Sequence, residues 1–412
     1  MHARIICALG AAAAACALVS PGLAGLAGAA SIVPRASGLQ APARDAAESA
    51  GAAAGSAASR GWPARPVIAY VLNANSVTPI RTTTGKAGEP IKITVPGPPE
   101  ILRAIAITPD GKTVYVANHG FDTAPADTVI PISTATGKAG KPITVGASPD
   151  AIAITPDGRT AYVVSESGTV TPIRTATGKA ITVGSNPVAI AITPDGKTAY
   201  IVNSNSGTVT PIRAATGKAG KAIKVGRFLG AIAITPNGKT AYVLSYTKGT
   251  VTPIRTSTNT AGKPIKVGSG PSAIAITPNG RTAYVVNQGS GTATPIQTAT
   301  NTALTPIMVG KYPGNIAIAP NGKTVYVVAT GNGISGTVTP INTATNKPGR
   351  KIKIRGFPGA IAITPDGKTA YVLHACTINV AGDTVTPIHT ATSKVGRPIK
   401  VASCPSAIVI TP

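Results

Sequence analysis

Acidic residues are scarce: the 412-residue chain has 13 Asp plus Glu against 38 Lys plus Arg, a formal net charge of +25 at pH 7. Charged residues are only 12% of the total, so this is a basic protein nearly empty of acids, not a generally charged one. Aromatics are 3% while apolar residues reach 43%, so the core must be built from Ile, Val and Ala. Histidine is also rare, at four. No His/Cys/carboxylate group has zinc spacing, and no Gly-x-Ser-x-Gly elbow, phosphate-binding loop or dinucleotide fingerprint occurs. No metal, no cofactor and no catalysis are expected. What is abundant is turn chemistry. Gly at 46 and Pro at 37 occupy about a fifth of all positions, which argues against a helical protein and excludes a long coiled coil. The chain is also too apolar and too regular to be disordered.

A long uncharged run lies at the start, between Arg4 and Arg35, with the apolar stretch Ile5 to Val19 at its heart. Pro21 and nearby glycines break it, and Ala27-Gly28-Ala29 offers a small-x-small cleavage site. Residues 1–29 therefore read as a secretory signal peptide. Pro and Gly make this run a poor membrane-spanning helix, so no transmembrane span is expected in the mature chain. Residues 30–64, rich in Ala, Ser and Gly, read as a flexible linker. The expected location is outside the cell or in its envelope.

From residue 65 onward the sequence is an internal repeat. Tyrosines recur at 70, 115, 162, 200, 242, 284, 326 and 371, spaced by 45, 47, 38, 42, 42, 42 and 45. One unit reads Ala231-Ile-Ala-Ile-Thr-Pro-Asn-Gly-Lys-Thr-Ala-Tyr-Val-Leu, then Gly249-Thr-Val-Thr-Pro-Ile, then Pro264-Ile-Lys-Val-Gly268. Four short β-branched runs are thus separated by turns, the first pair by Pro-Asn-Gly or Pro-Asp-Gly, a strong hairpin signal. Four antiparallel strands at a period near 42 is the pattern of a β-propeller blade. First-strand runs start at Ala104, Ala151, Ala189, Ala231, Ala273, Asn315, Ala360 and Ala407, which makes eight blades. Seven is the alternative, with one unit unpaired. The repeat begins on a second strand (Ala69 to Leu72) and ends on a first strand (Ala407 to Pro412). These partial units complete one another, so the ring is expected to close through a shared blade that leaves no free sheet edge. Each third strand holds a proline (Pro79, Pro131, Pro172, Pro211, Pro253, Pro295, Pro340, Pro387). Its missing N–H predicts a bulge or a weakly paired outer strand there.

The Ile-Ala-Ile-Thr-Pro-Asp-Gly-Lys-Thr-Ala-Tyr-Val-Val-Asn type of unit, seen in Lys197 to Asn203, resembles the repeat of the YVTN-repeat β-propeller family, the YncE-like secreted bacterial proteins. The resemblance spans residues 67–412. It implies a propeller that is exported and binds partners, and it carries over no catalytic motif. This chain departs from the pattern in its Thr-Pro-Ile third strands and in counting eight blades where seven is commoner.

Because successive strands alternate direction, first-to-second and third-to-fourth loops share one face, and the remaining loops share the other. Four insertions, Pro96–Arg103, His119–Asp127, Gly331–Ser335 and His374–Asp383, all fall on the second face, and insertions in repeat proteins gather where binding occurs. Glu100, Arg103, His119, Phe121, Asp122, Asp127, His374 and Asp383 share the sector around the closing seam and form one candidate ligand or partner site. The alternative is that these loops merely cover the seam. Asp122, Asp127 and Asp383 have the chemistry of Ca²⁺ ligands, but Asp127 and Asp383 share a repeat position before Thr-Val, where a turn or capping role is favoured. Beyond the signal peptide the cysteines are Cys376 and Cys404. Both are placed on this second face, and export makes a disulfide the expectation.

The first face is basic. Lys112, Arg159, Lys197, Lys239, Arg281, Lys323 and Lys368 each follow the hairpin Gly, and Lys86, Lys138, Lys179, Lys218, Lys263, Lys347 and Lys394 lie in third-to-fourth loops. Such a ring attracts polyanions. Aromatic stacking groups are absent from those loops, which disfavours base-reading nucleic-acid binding. The expected protein is a monomeric, exported, non-catalytic binding module of the cell envelope, with a protein or an anionic wall polymer or polysaccharide as partner. The alternatives are a propeller enzyme of lactonase or quinoprotein type, and electrostatic nucleic-acid binding. Inner strands of Ala, Ile, Asn and Val argue against the enzyme.

Overall fold

Each Pro-Asp-Gly or Pro-Asn-Gly pair reverses the chain between two β-branched runs, and alternation along those runs turns alternate side chains toward the neighbouring sheet. In the computed structural model, which describes residues 66–94, 101–119, 127–173, 178–332, 335–376 and 382–412, this produces only strands and turns. The signal-peptide and linker expectations for residues 1–64 lie outside the described residues, as do Glu100, Phe121 and Asp122.

Eight antiparallel sheets form, settling the count at eight rather than seven. Blade 1 is the shared one. Its inner strand is the C-terminal Ala407–Ile410, paired to Ile68–Leu72 with Ala69 opposite Ile410 and Leu72 opposite Ala407. The inner strands of blades 2 to 8 are Ile101–Ile107, Pro149–Ile154, Pro187–Ile192, Leu229–Ile234, Pro271–Ile276, Pro313–Ile318 and Pro358–Ile363. Each touches the next, and Ala407–Ile410 touches both Pro358–Ile363 and Ile101–Ile107, so the ring is closed.

The core lies between blades, in eight apolar clusters that each join neighbouring sheets. Ile, Val and Ala supply nearly all of it. The large exceptions are the repeat tyrosines, of which Tyr162, Tyr200, Tyr242, Tyr284 and Tyr371 are fully buried. Burial raises the Tyr200, Tyr242 and Tyr284 hydroxyls to pKa values of about 12, so they stay protonated and donate. They donate across the blade boundary. Tyr200 Oη reaches Asn259 Oδ1 at 2.7 Å, Tyr242 Oη reaches Asn301 Oδ1 at 2.6 Å, and Tyr371 Oη reaches the Thr82 carbonyl at 3.3 Å, stitching blade 8 to blade 1. Asn259, Asn301 and Asn346 take left-handed φ values of 54°, 57° and 54°, a conformation Asn tolerates. They therefore serve as turn residue and acceptor at once.

The repeated proline behaves as expected. It sits opposite the tyrosine, as Pro253 does to Tyr242, and the outer strand breaks beside it. In six blades the fourth strand is two pieces of two residues, such as Thr260–Ala261 and Ile265–Lys266. Between them Gly262 N donates to the Pro253 carbonyl at 2.7 Å.

One feature was not foreseen. The inner strand starts with a register shift in blades 2 to 8, for example between Pro149 and Ala151. A bulge leaves a residue out of the ladder and re-aims its side chain. In blades 2 and 3 those residues are Arg103 and Asp150.

Candidate functional site

The hairpin turns that form the first face are built alike. In blade 2, Thr108 Oγ1 donates to Asp110 Oδ1 at 2.6 Å, and the Lys112 backbone N–H donates to the same oxygen at 3.0 Å. Gly111 takes the left-handed φ of 68° that closes the turn. The same Asx turn recurs with Asp157, Asp195, Asn237, Asn279 and Asp366, and Asn321 accepts from Lys323 N at 2.9 Å. Fixing the backbone in this way leaves the side chain after Gly exposed in all seven turns: Lys112, Arg159, Lys197, Lys239, Arg281, Lys323 and Lys368.

These turns stack around the ring. A methyl group added to Gly158 would lie 3.4 Å from Pro109 Cδ of the preceding blade, and Gly196, Gly238, Gly280, Gly322 and Gly367 face Pro156, Pro194, Pro236, Pro278 and Pro320 in the same way. Threonines at the end of the third strand tie on the neighbouring loops: Thr256 Oγ1 donates to the Gly238 carbonyl at 2.6 Å and Thr390 Oγ1 to that of Gly367 at 2.6 Å. Lys86, Lys138, Lys218, Lys347 and Lys394 are exposed on this same face, whereas Lys179 and Lys263, expected there too, follow Gly178 and Gly262 and are exposed in the break of the outer strand beside Pro172 and Pro253.

The charge of this face is uneven. Lys112 lies 3.6 Å from Asp110, and Lys197 and Lys368 lie 3.9 Å from Asp195 and Asp366. Hydrogen bonds from Thr108, Thr193 and Thr364 hold these carboxyls below the ordinary range, so the acids are ionised and offset the neighbouring cation. Exposed pairs of this length stabilise little; their effect is on the local field.

The second face carries the closing seam. Cys376 and Cys404 form a disulfide with Cα atoms 4.9 Å apart. Cys404 N donates to the Gly382 carbonyl at 2.7 Å, and Ser406 N donates to that of Leu72 at 2.8 Å. The bridge therefore fastens blade 8 to the segment that leads into the final strand. His374 is buried, with Nε2 2.6 Å from Thr386 Oγ1. It takes the place of Asn73, Asn203 and Asn287, whose amides donate to Thr78, Thr210 and Thr294. Burial lowers the His374 pKa, against opposing effects from the Arg355 backbone and Asp383. Asp127 Oδ1 accepts from Ser148 N at 3.0 Å, a capping contact for the loop entering blade 3. Val401 N donates to the Asp383 carbonyl at 2.7 Å. His119 ends the second strand of blade 2 and is half-buried. Among the described residues no three His, Cys, Asp or Glu side chains cluster as a metal site.

Sequence reasoning missed Asp150. It is 3% exposed, and neither carboxyl oxygen has a hydrogen-bond partner. Burial, joined by the nearby Glu166 charge and opposed by Arg103, raises its pKa to about 7. Aligning the repeats gives the signal that was there to be found. The equivalent residues Val188, Gly230, Ser272, Gly314, Gly359 and Ser406 are uncharged, and in blade 2 the position holds Arg103, so Asp150 is the one acid there.

No family model matches the sequence, and no curated protein matches it. Solved structures do. The chain is similar to one described as dihydro-heme d1 dehydrogenase NirN in complex with DHE, at 15% identity and a TM-score of 0.69 over 83% of this chain and 74% of that one. It is similar to Kuenenia stuttgartiensis hydrazine synthase at 21% identity and a TM-score of 0.53, over 72% and 95% of the two chains. A functionally unknown protein from Desulfotomaculum acetoxidans DSM 771 matches at 17% identity and a TM-score of 0.54, over 84% and 98%. The fold is that of a β-propeller. At these identities the likeness concerns the fold alone.

Proposed function

We propose that this chain is an exported propeller of the YVTN-repeat type that binds an anionic polymer of the cell envelope through its hairpin face and catalyses no reaction. The observation that carries this reading is the ring of seven exposed cations, each set by the same Asx turn, on stacked tips beside a second set of exposed lysines. Like charges fixed at regular intervals on a rigid disc suit a repetitive partner with its own spaced negative groups. The seam sector, with Arg103, His119, Asp127 and Asp383, is the second candidate surface, suited to a protein partner; Glu100, Phe121 and Asp122 belong to it by sequence, while His374, buried against Thr386, supports it from beneath.

Binding of the purified chain to heparin, to an anionic wall polymer and to duplex DNA over a salt series tests the reading. Each neutralised anionic group contributes about 0.7–0.9 to the slope of log K against log salt, so contact through three or more cations predicts a slope of about −2 or steeper. Binding to none of the three at about 0.1 M salt would overturn it. Tight binding to DNA alone would favour the nucleic-acid alternative.

A further inference from the structure

We propose that the polyanion is gripped by one arc of the basic ring, blades 5 to 7, through Lys239, Arg281 and Lys323, and that the ligand is a linear anionic polysaccharide. This rests on the reading that the hairpin face is the binding face. Two related observations locate the arc. The first is where acids are missing. Between Asp195 and Asp366 the sequence has nineteen Lys and Arg residues and no Asp or Glu, a stretch that contains blades 5, 6 and 7 whole. The second is the chemistry of the turns. Blades 2, 3, 4 and 8 place Asp two residues before the exposed cation, whereas blades 5, 6 and 7 place Asn237, Asn279 and Asn321 there. Asp and Asn make the same turn: the backbone N–H of Lys112 and that of Lys239 both donate at 3.0 Å, one to Asp110 and one to Asn237. The backbone gives no reason to prefer Asn, so the difference between the two sets of blades is one of charge. An ionised Asp lies 3.6–3.9 Å from Lys112, Lys197 and Lys368; the arc's three cations carry their full charge outward.

The arc is continuous. Gly280 of blade 6 faces Pro236 of blade 5, and Gly322 of blade 7 faces Pro278 of blade 6, each at 3.2–3.3 Å from where a methyl would sit. A linear chain therefore meets three successive tips without an intervening acid. Exposed aromatic side chains that could stack on bases, Phe228 and Tyr312, lie in the fourth-to-first loops of the opposite face. This favours a saccharide backbone carrying sulfate, phosphate or carboxylate over a nucleic acid.

The test converts the arc to the chemistry of the other blades. The triple variant Asn237→Asp, Asn279→Asp, Asn321→Asp keeps the Asx turns and lowers the net charge by three. A second triple, Lys112→Gln, Lys197→Gln, Lys368→Gln, lowers it by the same amount on the same face. Heparin affinity and its salt slope are measured for both in the full chain, with duplex DNA in parallel. The arc predicts that the Asp triple loses on the order of 100-fold in affinity at about 0.1 M salt and about 2–3 units of slope, while the Gln triple loses less than about threefold. Equal losses from the two triples would overturn the arc and leave the basic face standing. Absence of heparin binding by the unmodified chain would overturn both, and binding to DNA in preference to heparin would overturn the choice of ligand.

Discussion

Replacing Asp150 with Asn should stabilise this protein by an amount that grows as pH rises from about 4 and is complete above about 7. Asp150 sits on the bulge that opens the inner strand of blade 3, 3% exposed and with both oxygens unpartnered. Its ordinary pKa of 3.8 rises to about 7 in the fold, chiefly through burial. Below the ordinary value the group is protonated whether the chain is folded or not, and costs nothing. Between pH 3.8 and about 7 the native state holds a proton that the unfolded chain releases, so stability falls as pH rises. Above about 7 the loss is complete. Three pKa units correspond to about 4 kcal/mol, and local relaxation brings the expected penalty to about 2–4 kcal/mol. Asn copies the neutral acid at every pH. Urea unfolding followed by far-UV circular dichroism should show variant and native protein within about 1 kcal/mol of each other at pH 4. The variant should be about 2–4 kcal/mol more stable at pH 8.5, with an unchanged urea slope. A variant less stable than the native protein at pH 8.5 would refute the reasoning. It would mean that Asp150 is ionised and held by the Arg103 guanidinium.

Two further outcomes follow from the ring. Replacing Cys376 and Cys404 together with Ser should cost about 3–4 kcal/mol by the loop-entropy argument, since the bridge spans a sequence separation of 28; hydrogen exchange should show the loss first in Ala407–Ile410 and its partner Ile68–Leu72. Tyr242→Phe removes the hydroxyl that donates to Asn301 Oδ1 and should cost about 1–2 kcal/mol in urea unfolding, and a change below about 0.3 kcal/mol would remove the inter-blade stitch from the account.

The blade count, the closure and the broken outer strand were legible in the sequence because each depends on local chemistry. A Pro-Asn-Gly turn closes a hairpin wherever it stands, and a proline lacks its N–H in any fold. The closing blade was legible because Ala69 to Leu72 and Ala407 to Ile410 are each half of a unit. The bulges were not, because a register shift requires no particular residue: Arg103, Asp150, Val188 and Ser272 all occupy one. The burial of Asp150 was hidden with them. His374 looked like a loop candidate until the structure put it in the Asn position of the repeat, against Thr386. The Tyr-to-Asn contacts join residues 59 positions apart, beyond the reach of a period read within one unit.

Lysine acetylation footprinting with and without bound heparin tests the central claim most directly, because it reports which face of the disc the polymer covers. The hairpin-face reading predicts protection of Lys239 and Lys323, with Lys248 and Lys311, exposed on the opposite face, labelled as fast as in the free protein. Protection of Lys248 and Lys311 while Lys239 and Lys323 remain open would contradict it.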